Sequence, residues 1–122
     1  MTHQDHASES VFKDDDVDAL SPARFAHALG ISEPELAEAL RVDLDTLQQR
    51  PDDVSIQQRL RPFVSVFESL LALQSDAALA AVHMMATRIS VLDHRTLFDT
   101  VRDGDFGNAL RYLQTISSGQ NG

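Results

Sequence analysis

Three groups of residues in this 122-residue chain carry side chains that could do chemistry. His3 and His6 could contact a metal ion, and the run from His83 to Met85 could hold a soft metal. The run from Asp93 to Arg95 could form an acid–base pair. His3 and His6 are a lone pair in an acidic tail, which seldom holds a metal. No cysteine or carboxylate at ligand spacing accompanies His83 to Met85, and no nucleophile accompanies Asp93 to Arg95. We therefore interpret them as tail residues, core methionines and polar residues of an interhelical connection.

No motif of an enzyme accompanies these groups. The sequence contains no phosphate-binding loop, glycine-rich dinucleotide motif, zinc-ligand spacing or nucleophile elbow. It also contains no cysteine, which excludes disulfides and thiolate catalysis. We expect no catalytic residue, no metal and no cofactor, so the sequence favours a function in binding.

Length and composition limit the architecture. With 122 residues and 43% hydrophobic residues, the chain can form one domain, or two small helical ones that share a core. It has no apolar run of membrane-spanning length and no basic start followed by an apolar core, so we expect a soluble cytoplasmic protein without membrane contact.

The acidic residues are unevenly distributed. The net charge is −9, and residues 1–20 contain six acidic residues against Lys13 alone. This segment has no periodic apolar face before its last few residues, so we predict a disordered acidic tail over residues 1–20. A net charge of this sign argues against a general nucleic-acid-binding protein.

Capping residues divide the next part of the chain into short helices. Ser21 before a proline and Gly30 bound the first helix, Ser32 with Glu35 forms a capping box for the second, and Asp43 caps a third. The pattern predicts an all-α fold with a helix-turn-helix region over residues 21–74. Leu36, Ala37 and Leu40 are expected to face inward, with Leu47 from the third helix.

The third helix is the candidate DNA-reading element. Its expected DNA-binding residues are Arg41, Thr46, Gln48, Gln49 and Arg50, with Arg59 and Arg61 available for phosphate contacts. Asp43 and Asp45 lie at the end that would approach the bases, and they oppose binding to a polyanion. The sequence therefore leaves two interpretations open, a DNA-binding element or a structural three-helix module. Arg41 also stands where such turns usually have glycine, which costs strain if φ is positive.

Two further helices are predicted before the C-terminal segment. Ser55 with Gln58 is a possible capping box for a long helix with a buried stripe, which Pro62 is expected to kink or divide. Ser75 is expected to cap the next helix. The stripe of the long helix contains Ile56, Leu60, Phe63, Val64, Phe67, Leu70 and Leu71, and the face of the next contains Leu79, Val82, Met85 and Ala86.

Residues 95–119 predict a helical hairpin. Thr96 can cap a first helix with Asp99 reaching back to it, and Gly104 supplies a left-handed stop. Asp105 can cap a second helix that ends at Gly119, followed by a short polar tail. Its buried face contains Phe106, Ala109, Leu110, Leu113 and Ile116, and Asn108, Arg111, Gln114 and Thr115 lie on the opposite face.

The hairpin sequence LFDTVRDGDFGNALRYLQTISSG resembles the C-terminal segment of the MbcA/ParS/Xre group of toxin-binding antitoxins. The resemblance covers about a fifth of the chain. The upstream segment ELAEALRVDLDTLQQR is similar to the Xre-type helix-turn-helix of the same group. The partners of this family are toxins with a RES domain. The resemblance implies that such toxins consume NAD.

The resemblance implies an antitoxin whose residues 75–122 bind such a toxin and occlude its active site. The N-terminal helices would form a homodimer and bind operator DNA of the chain's own promoter. Residues 117–122 would enter the toxin's substrate pocket as a flexible tail. The implied toxin-binding residues are Arg102, Asp103, Gly104, Asp105, Phe106, Tyr112, Ser117, Ser118 and Gly119. The alternative is a helix-turn-helix transcriptional regulator without a toxin partner.

Overall fold

All regular structure in the described part of the chain is helical. The structure is a computed structural model that describes the backbone of residues 19–121 and the side chains of residues 19–117. This range contains seven α-helices and one short 3-10 turn, which confirms the all-α fold. They are α1 (Pro22–Leu29), α2 (Glu33–Leu40), α3 (Leu44–Gln49), α4 (Val54–Leu73), α5 (Ala77–Ala86), the 3-10 turn η1 (Ser90–Leu92), α6 (Leu97–Arg102) and α7 (Phe106–Asn121).

The caps predicted for the first three helices are present. The Ser21 hydroxyl accepts from the backbone N–H of Arg24, and Gly30 ends α1 at φ 75°. Ser32 and Glu35 form the reciprocal capping box of α2, and hydrogen bonding to Ser32 lowers the pKa of Glu35. The Asp43 carboxylate accepts from the N–H of Thr46 at the start of α3. Local hydrogen bonds therefore fix these helix ends as the sequence predicts.

The turn between α2 and α3 contains a strained residue. Arg41 lies in the left-handed region with φ 59° and ψ 44°, and its N–H caps α2 by donating to the carbonyl of Glu38. A residue with a Cβ atom pays roughly 1–2 kcal/mol for this conformation, which glycine adopts freely. The strain expected from the sequence is therefore present.

The start of α4 and the effect of Pro62 differ from the prediction. Asp53 caps α4 by accepting from the N–H of Ser55, so the Ser55 and Gln58 capping box does not form. The carboxylate two residues earlier takes the N–H that begins the helix. Pro62 lies inside one continuous helix and does not divide it. The loss of one backbone bond is tolerated because α4 packs against four other helices, α2, α5, α6 and α7.

Helix α5 begins at a different residue and buries a different face than expected. Asp76, not Ser75, caps it by accepting from the N–H groups of Ala78 and Leu79. Ala80 and Met84 are fully buried, whereas the expected inward residues Leu79 and Val82 are exposed. Helix α5 carries apolar side chains on every side, so the spacing of its apolar residues cannot identify the inward face. The small Ala80 side chain lets the neighbouring helices come close.

One hydrophobic cluster joins the regions predicted as residues 21–74 and 75–122. It contains Phe25 from α1, Phe63 from α4 and Phe98 from α6. The rings of Phe63 and Phe98 lie 5.0 Å apart, and α1 packs on α5 across the predicted boundary. Val66 of α4, outside the predicted stripe, is also fully buried within the single chain. Side chains on both sides of residue 74 therefore share one interior.

Gln57 of α4 holds the last residue of the predicted tail. Its amide oxygen accepts from the N–H of Leu20 at 2.8 Å, and its Nε2 donates to the carbonyls of Leu20 and Pro51 at 2.9 and 2.8 Å. Leu20 is buried, so this residue of the predicted tail belongs to the packed part of the chain. His3, His6 and the acidic residues up to Asp18 lie outside the described residues.

Between residues 19 and 121, none of the helices combines the length and apolar character that a membrane-spanning segment needs.

Candidate functional site

Helices α6 and α7 form the hairpin that the sequence predicts. The Thr96 hydroxyl caps α6 by accepting from the N–H of Asp99 at 3.0 Å. The Asp99 side chain instead pairs with Arg102 at 3.2 Å. Gly104 ends α6 at φ 89°, and a Cβ atom there would meet no other atom within 4 Å. The left-handed backbone, not lack of space, therefore favours glycine at this position.

Thr100 ties the two helices together from inside. It is fully buried, and its hydroxyl donates to the carbonyl of Thr96 at 2.8 Å. Its own carbonyl accepts from the N–H of Asp105 at 3.0 Å, on the far side of the glycine turn. A buried residue thus fixes the angle at which α7 leaves α6.

Arg95 braces the outside of the hairpin. Asp93 and His94 both have φ 61°, and this tight turn after η1 brings Arg95 back beside Ile89. Its Nη1 reaches Asp103 at 3.3 Å and its Nη2 reaches Asp105 at 2.7 Å, while Nε donates to the carbonyl of Leu92 at 2.8 Å. One guanidinium therefore connects the residues on both sides of Gly104.

The brace gives the hairpin a pH dependence. The hydrogen bond from Arg95 is the main cause that lowers the pKa of Asp105 below its ordinary value of 3.8. A carboxyl with a depressed pKa stabilises the fold above its unfolded value and loses that contribution as pH falls through the folded one. Arg95→Ala is therefore expected to lower the melting temperature at pH 7, and to lower it by less as the pH falls well below 3.8. Thermal unfolding at pH 7 and over an acidic pH series measures this.

Arg88→Ala is the control for that change. Arg88 is exposed, and its Nη1 donates to the carbonyl of His94 at 3.2 Å, so its removal should give the same small shift at neutral and acidic pH. If Arg95→Ala and Arg88→Ala showed the same pH profile, the Asp105 pairing would make no contribution to stability.

A row of polar side chains continues from the brace along α7. Asp105 Oδ1 accepts from Asn108 Nδ2 at 2.9 Å, and Asn108 Oδ1 accepts from Arg111 Nη1 at 2.8 Å. Asn108 and Arg111 are exposed, as predicted for this face. Each member of the row limits the rotamers of the next, so the row presents fixed donors and acceptors to solvent. We call Asp105, Asn108, Arg111 and Thr115 the α7 polar row.

A depression of about 290 Å³ lies beside the α7 polar row. Its lining residues are Val91, Leu92, Asn108, Arg111, Tyr112 and Thr115. Val91 is 78% exposed, and Tyr112 forms the other apolar wall. A concave surface that combines an exposed apolar side chain with ordered polar groups is typical of a protein-binding site.

Tyr112 is held in place by α5. Its hydroxyl lies 3.1 Å from His83 Nε2, and the two rings meet edge to face at 6.1 Å. Burial lowers the pKa of His83 and raises that of Tyr112, so both groups are neutral near pH 7. The pair therefore orients the tyrosine ring and does not supply a charge.

The end of α7 differs from the prediction. The helix continues through Gly119 to Asn121, so Gly119 does not end it. Ala109 and Leu113 anchor the earlier turns of this helix in the core. Ser117 lines a second depression of about 370 Å³ between α4 and α7, with Ser69 and Leu73 on the opposite wall. The side chains from Ser118 onward, including the predicted site residue Ser118, lie outside the described residues, and Gly119 is described only by its backbone.

The remaining predicted toxin-binding residues lie around the glycine turn. Asp103, Gly104 and Asp105 are brought together by the Arg95 brace, and Phe106 is half-buried against the core. Arg102 pairs with Asp99 at 3.2 Å and reaches Asp103 at 3.9 Å. It also lines a depression of about 160 Å³ with Arg41 and Arg59, so it borders both the brace and this group of arginines.

The predicted DNA-binding residues surround the short helix α3. Arg41, Gln48, Gln49 and Arg50 are exposed, and Thr46 is half-buried. Gln48 already donates its amide to Glu33 at 3.2 Å. Together with Asp43 and Asp45, Glu33 places a third carboxylate close to the predicted reading face, so the local charge opposes binding to DNA.

Sequence reasoning missed Arg95 and Val91 as parts of the site. Arg95 was interpreted as a surface or interface residue, yet it reaches carboxylates eight and ten residues away. Its position directly before a capped helix and an Asp-Gly-Asp turn is the one signal that could have indicated the brace. Nothing in the local pattern marks Val91.

Within residues 19–117, no three histidine, cysteine or acidic side chains lie together as a possible metal site. Comparisons of the chain with protein-family models, with curated proteins and with solved structures found no match.

Proposed function

We propose that this chain is the antitoxin of a type II toxin–antitoxin pair, and that it binds a RES-domain toxin and occludes its NAD-consuming active site. The observation that carries the proposal is the braced α6–α7 hairpin with the α7 polar row beside exposed Val91. The sequence resemblance of residues 97–119 to toxin-binding antitoxins supplies the partner class.

The geometry supports binding to a protein surface. Arg95, Thr100 and Gly104 fix the hairpin before any partner is present, so little ordering entropy is lost when it docks. Arg111 is exposed but already oriented by Asn108, and arginine is among the residues that most often dominate interface energies. The 290 Å³ depression between Val91 and Tyr112 can receive a side chain of the toxin.

The mode of occlusion follows from the course of α7. Since the helix continues to Asn121, its C-terminal turns would cover the toxin's cleft as a helix, in place of the flexible tail expected from the sequence. A preformed helix carries a smaller entropic cost on binding than a segment that must become ordered.

Reversing the charge of Arg111 tests the proposal. Arg111→Glu is expected to weaken binding of the RES toxin encoded beside this chain by about 30-fold, since a hot-spot arginine contributes about 2 kcal/mol. Calorimetry on the purified pair measures the affinity, and rescue of growth during toxin expression measures neutralisation.

Arg61→Glu is the matched control, because Arg61 is an exposed arginine of α4 outside the proposed site. Equal loss with both variants would indicate a general charge effect and would contradict docking through α7. Absence of any complex between the parent chain and a RES-domain protein would remove the antitoxin proposal as a whole.

A second candidate function is DNA-binding regulation without a toxin partner. It is favoured by exposure of Arg41, Gln49 and Arg50 around α3, directly after the capped turn. A mobility-shift assay on the chain's own promoter at two salt concentrations tests DNA binding. Since the antitoxin would also bind this promoter, pull-down with a co-expressed RES-domain protein separates the two functions. Specific DNA binding without any toxin complex would favour the regulator.

A further inference from the structure

Helix α5 is unusual in its lack of charge. Of the seven α-helices in the described residues, it is the one without an aspartate, glutamate, lysine or arginine. Its inward side contains Ala80 and Met84, which are fully buried against the chain's own core. A helix that is apolar all round is normally covered on all sides. The side of α5 that faces away from the core is therefore expected to have a partner.

That outward side is a continuous apolar stripe. Leu79 is 53% exposed and Val82 is 56% exposed, although both are large aliphatic residues. Ala78 and Ala86 are also exposed, and Met85 is half-buried. Their spacing of three, four and seven residues places them along one face of the helix. We call Ala78, Leu79, Val82, Met85 and Ala86 the α5 face.

We propose that the α5 face is the contact between two copies of this chain, related by a twofold axis through Val82. Two copies that each carry a net charge of −9 repel one another at most orientations. A twofold contact places each surface patch against its own copy, so any charge on the axis would face a like charge. The α5 face contains no formal charge, and this repulsion is therefore smallest there.

The residues of the α5 face match one another about Val82. In an antiparallel pair of helices with Val82 on the axis, Leu79 faces Met85 of the second copy. Ala78 likewise faces Ala86, and these small side chains allow the close helix approach of about 8 Å. Each large residue thus meets a large one, and each small residue meets a small one.

Charges at the two ends of α5 complete the match. Asp76 precedes the helix and Arg88 follows it, and each lies six residues from Val82. The same axis therefore brings Asp76 of one copy toward Arg88 of the other at both ends of the contact. In the antiparallel arrangement, the positive N-terminal end of each α5 dipole lies beside the negative C-terminal end of the other, which is favourable.

The inference does not depend on the proposed antitoxin function, because it uses no residue of α6 or α7. It places the dimer contact on α5, whereas the sequence resemblance implied dimerisation through the N-terminal helices. Two copies joined at α5 leave the α7 polar row of each copy unused.

The test begins with the mass of the protein in solution. The parent chain at about 100 µM is expected to sediment as a dimer, within the affinity range of modest interfaces. Val82→Glu sets two carboxylates against each other on the axis and is expected to weaken the dimer at least tenfold. Val54→Glu is the matched control, because Val54 is an equally large valine that is 69% exposed on α4.

A monomeric parent chain, or equal weakening by Val82→Glu and Val54→Glu, would overturn the proposal. Circular dichroism of both variants establishes that each remains folded. Retention of the dimer in Val82→Glu would also overturn it.

The absence of cysteine allows an independent test of the register. Val82→Cys places a single thiol on the axis, where a disulfide between the two copies can form at a Cβ separation of about 4 Å. Mild oxidation is expected to link Val82→Cys chains and to leave Val54→Cys chains unlinked. A mixture of Ala78→Cys and Ala86→Cys chains should form the mixed disulfide in preference to either homodimer. Random linkage among these variants would contradict the twofold axis.

Discussion

Replacement of Phe98 by alanine is expected to lower the free energy of unfolding by about 3–5 kcal/mol, the usual cost of emptying a buried aromatic site. Phe98 is 7% exposed, and its ring packs at 47° against Phe63 of α4. Small domains are stable by about 5–15 kcal/mol, so the variant would lose a large part of its margin. Urea denaturation followed by far-UV circular dichroism measures the change.

Val91→Ala is the control for that experiment, because Val91 lies on the surface and its truncation should change stability by less than about 0.5 kcal/mol.

The shape of the unfolding transition is also informative. Since Phe98 and Phe63 belong to one hydrophobic cluster, both regions of the chain should unfold in a single step. A variant in which α6 and α7 melted first while α1 to α4 remained folded would contradict this coupling.

Replacement of Gln57 by leucine is expected to cost about 2–4 kcal/mol, because it leaves two carbonyls and one N–H without their partner. The side chain bonds the N–H and carbonyl of Leu20 and the carbonyl of Pro51, all within 2.9 Å. Leucine fills a similar volume, so the loss comes from hydrogen bonding. Chemical denaturation measures the free energy, and amide exchange at Leu20 measures the local opening.

Gln58→Leu is the matched control, since Gln58 is exposed on the neighbouring position of α4. Gln57→Glu adds a second comparison, because it retains the shape and the acceptor but loses both donated bonds at neutral pH. Because its second carboxylate oxygen would face the carbonyl oxygens of Leu20 and Pro51, we expect a loss of stability at least as large as that of Gln57→Leu at neutral pH. If Gln57→Leu lowered the free energy of unfolding no more than Gln58→Leu does, the three hydrogen bonds would contribute nothing measurable.

Four of the helix starts were predictable because they depend on neighbours in the sequence. Ser21, Ser32, Asp43 and Thr96 each accept a backbone N–H three residues later, and that hydrogen bond can be inferred from residue type and spacing. Gly104 was predictable for a similar reason, since only glycine adopts its backbone conformation without strain.

The contacts that position the candidate site were not predictable in the same way. Gln57 bonds a residue 37 positions away, and Arg95 reaches over the whole of α6. Such contacts depend on how helices pack, and a local pattern contains no information about that packing. The prediction of the inward face of α5 was wrong for a related reason. The helix is apolar on every side, so the spacing of its apolar residues does not distinguish a buried face from an exposed one.

At position 41, glycine would be better for stability, whereas arginine supplies a positive charge. Glycine at this turn would recover most of the roughly 1–2 kcal/mol of backbone strain. It would also delete one of the three guanidinium groups, with those of Arg59 and Arg102, that line the 160 Å³ depression. A redesign guided by thermal tolerance alone would therefore choose glycine at position 41 and erase a third of the positive charge gathered there. No single residue at position 41 can both remove the backbone strain and keep the positive charge of this basic cluster.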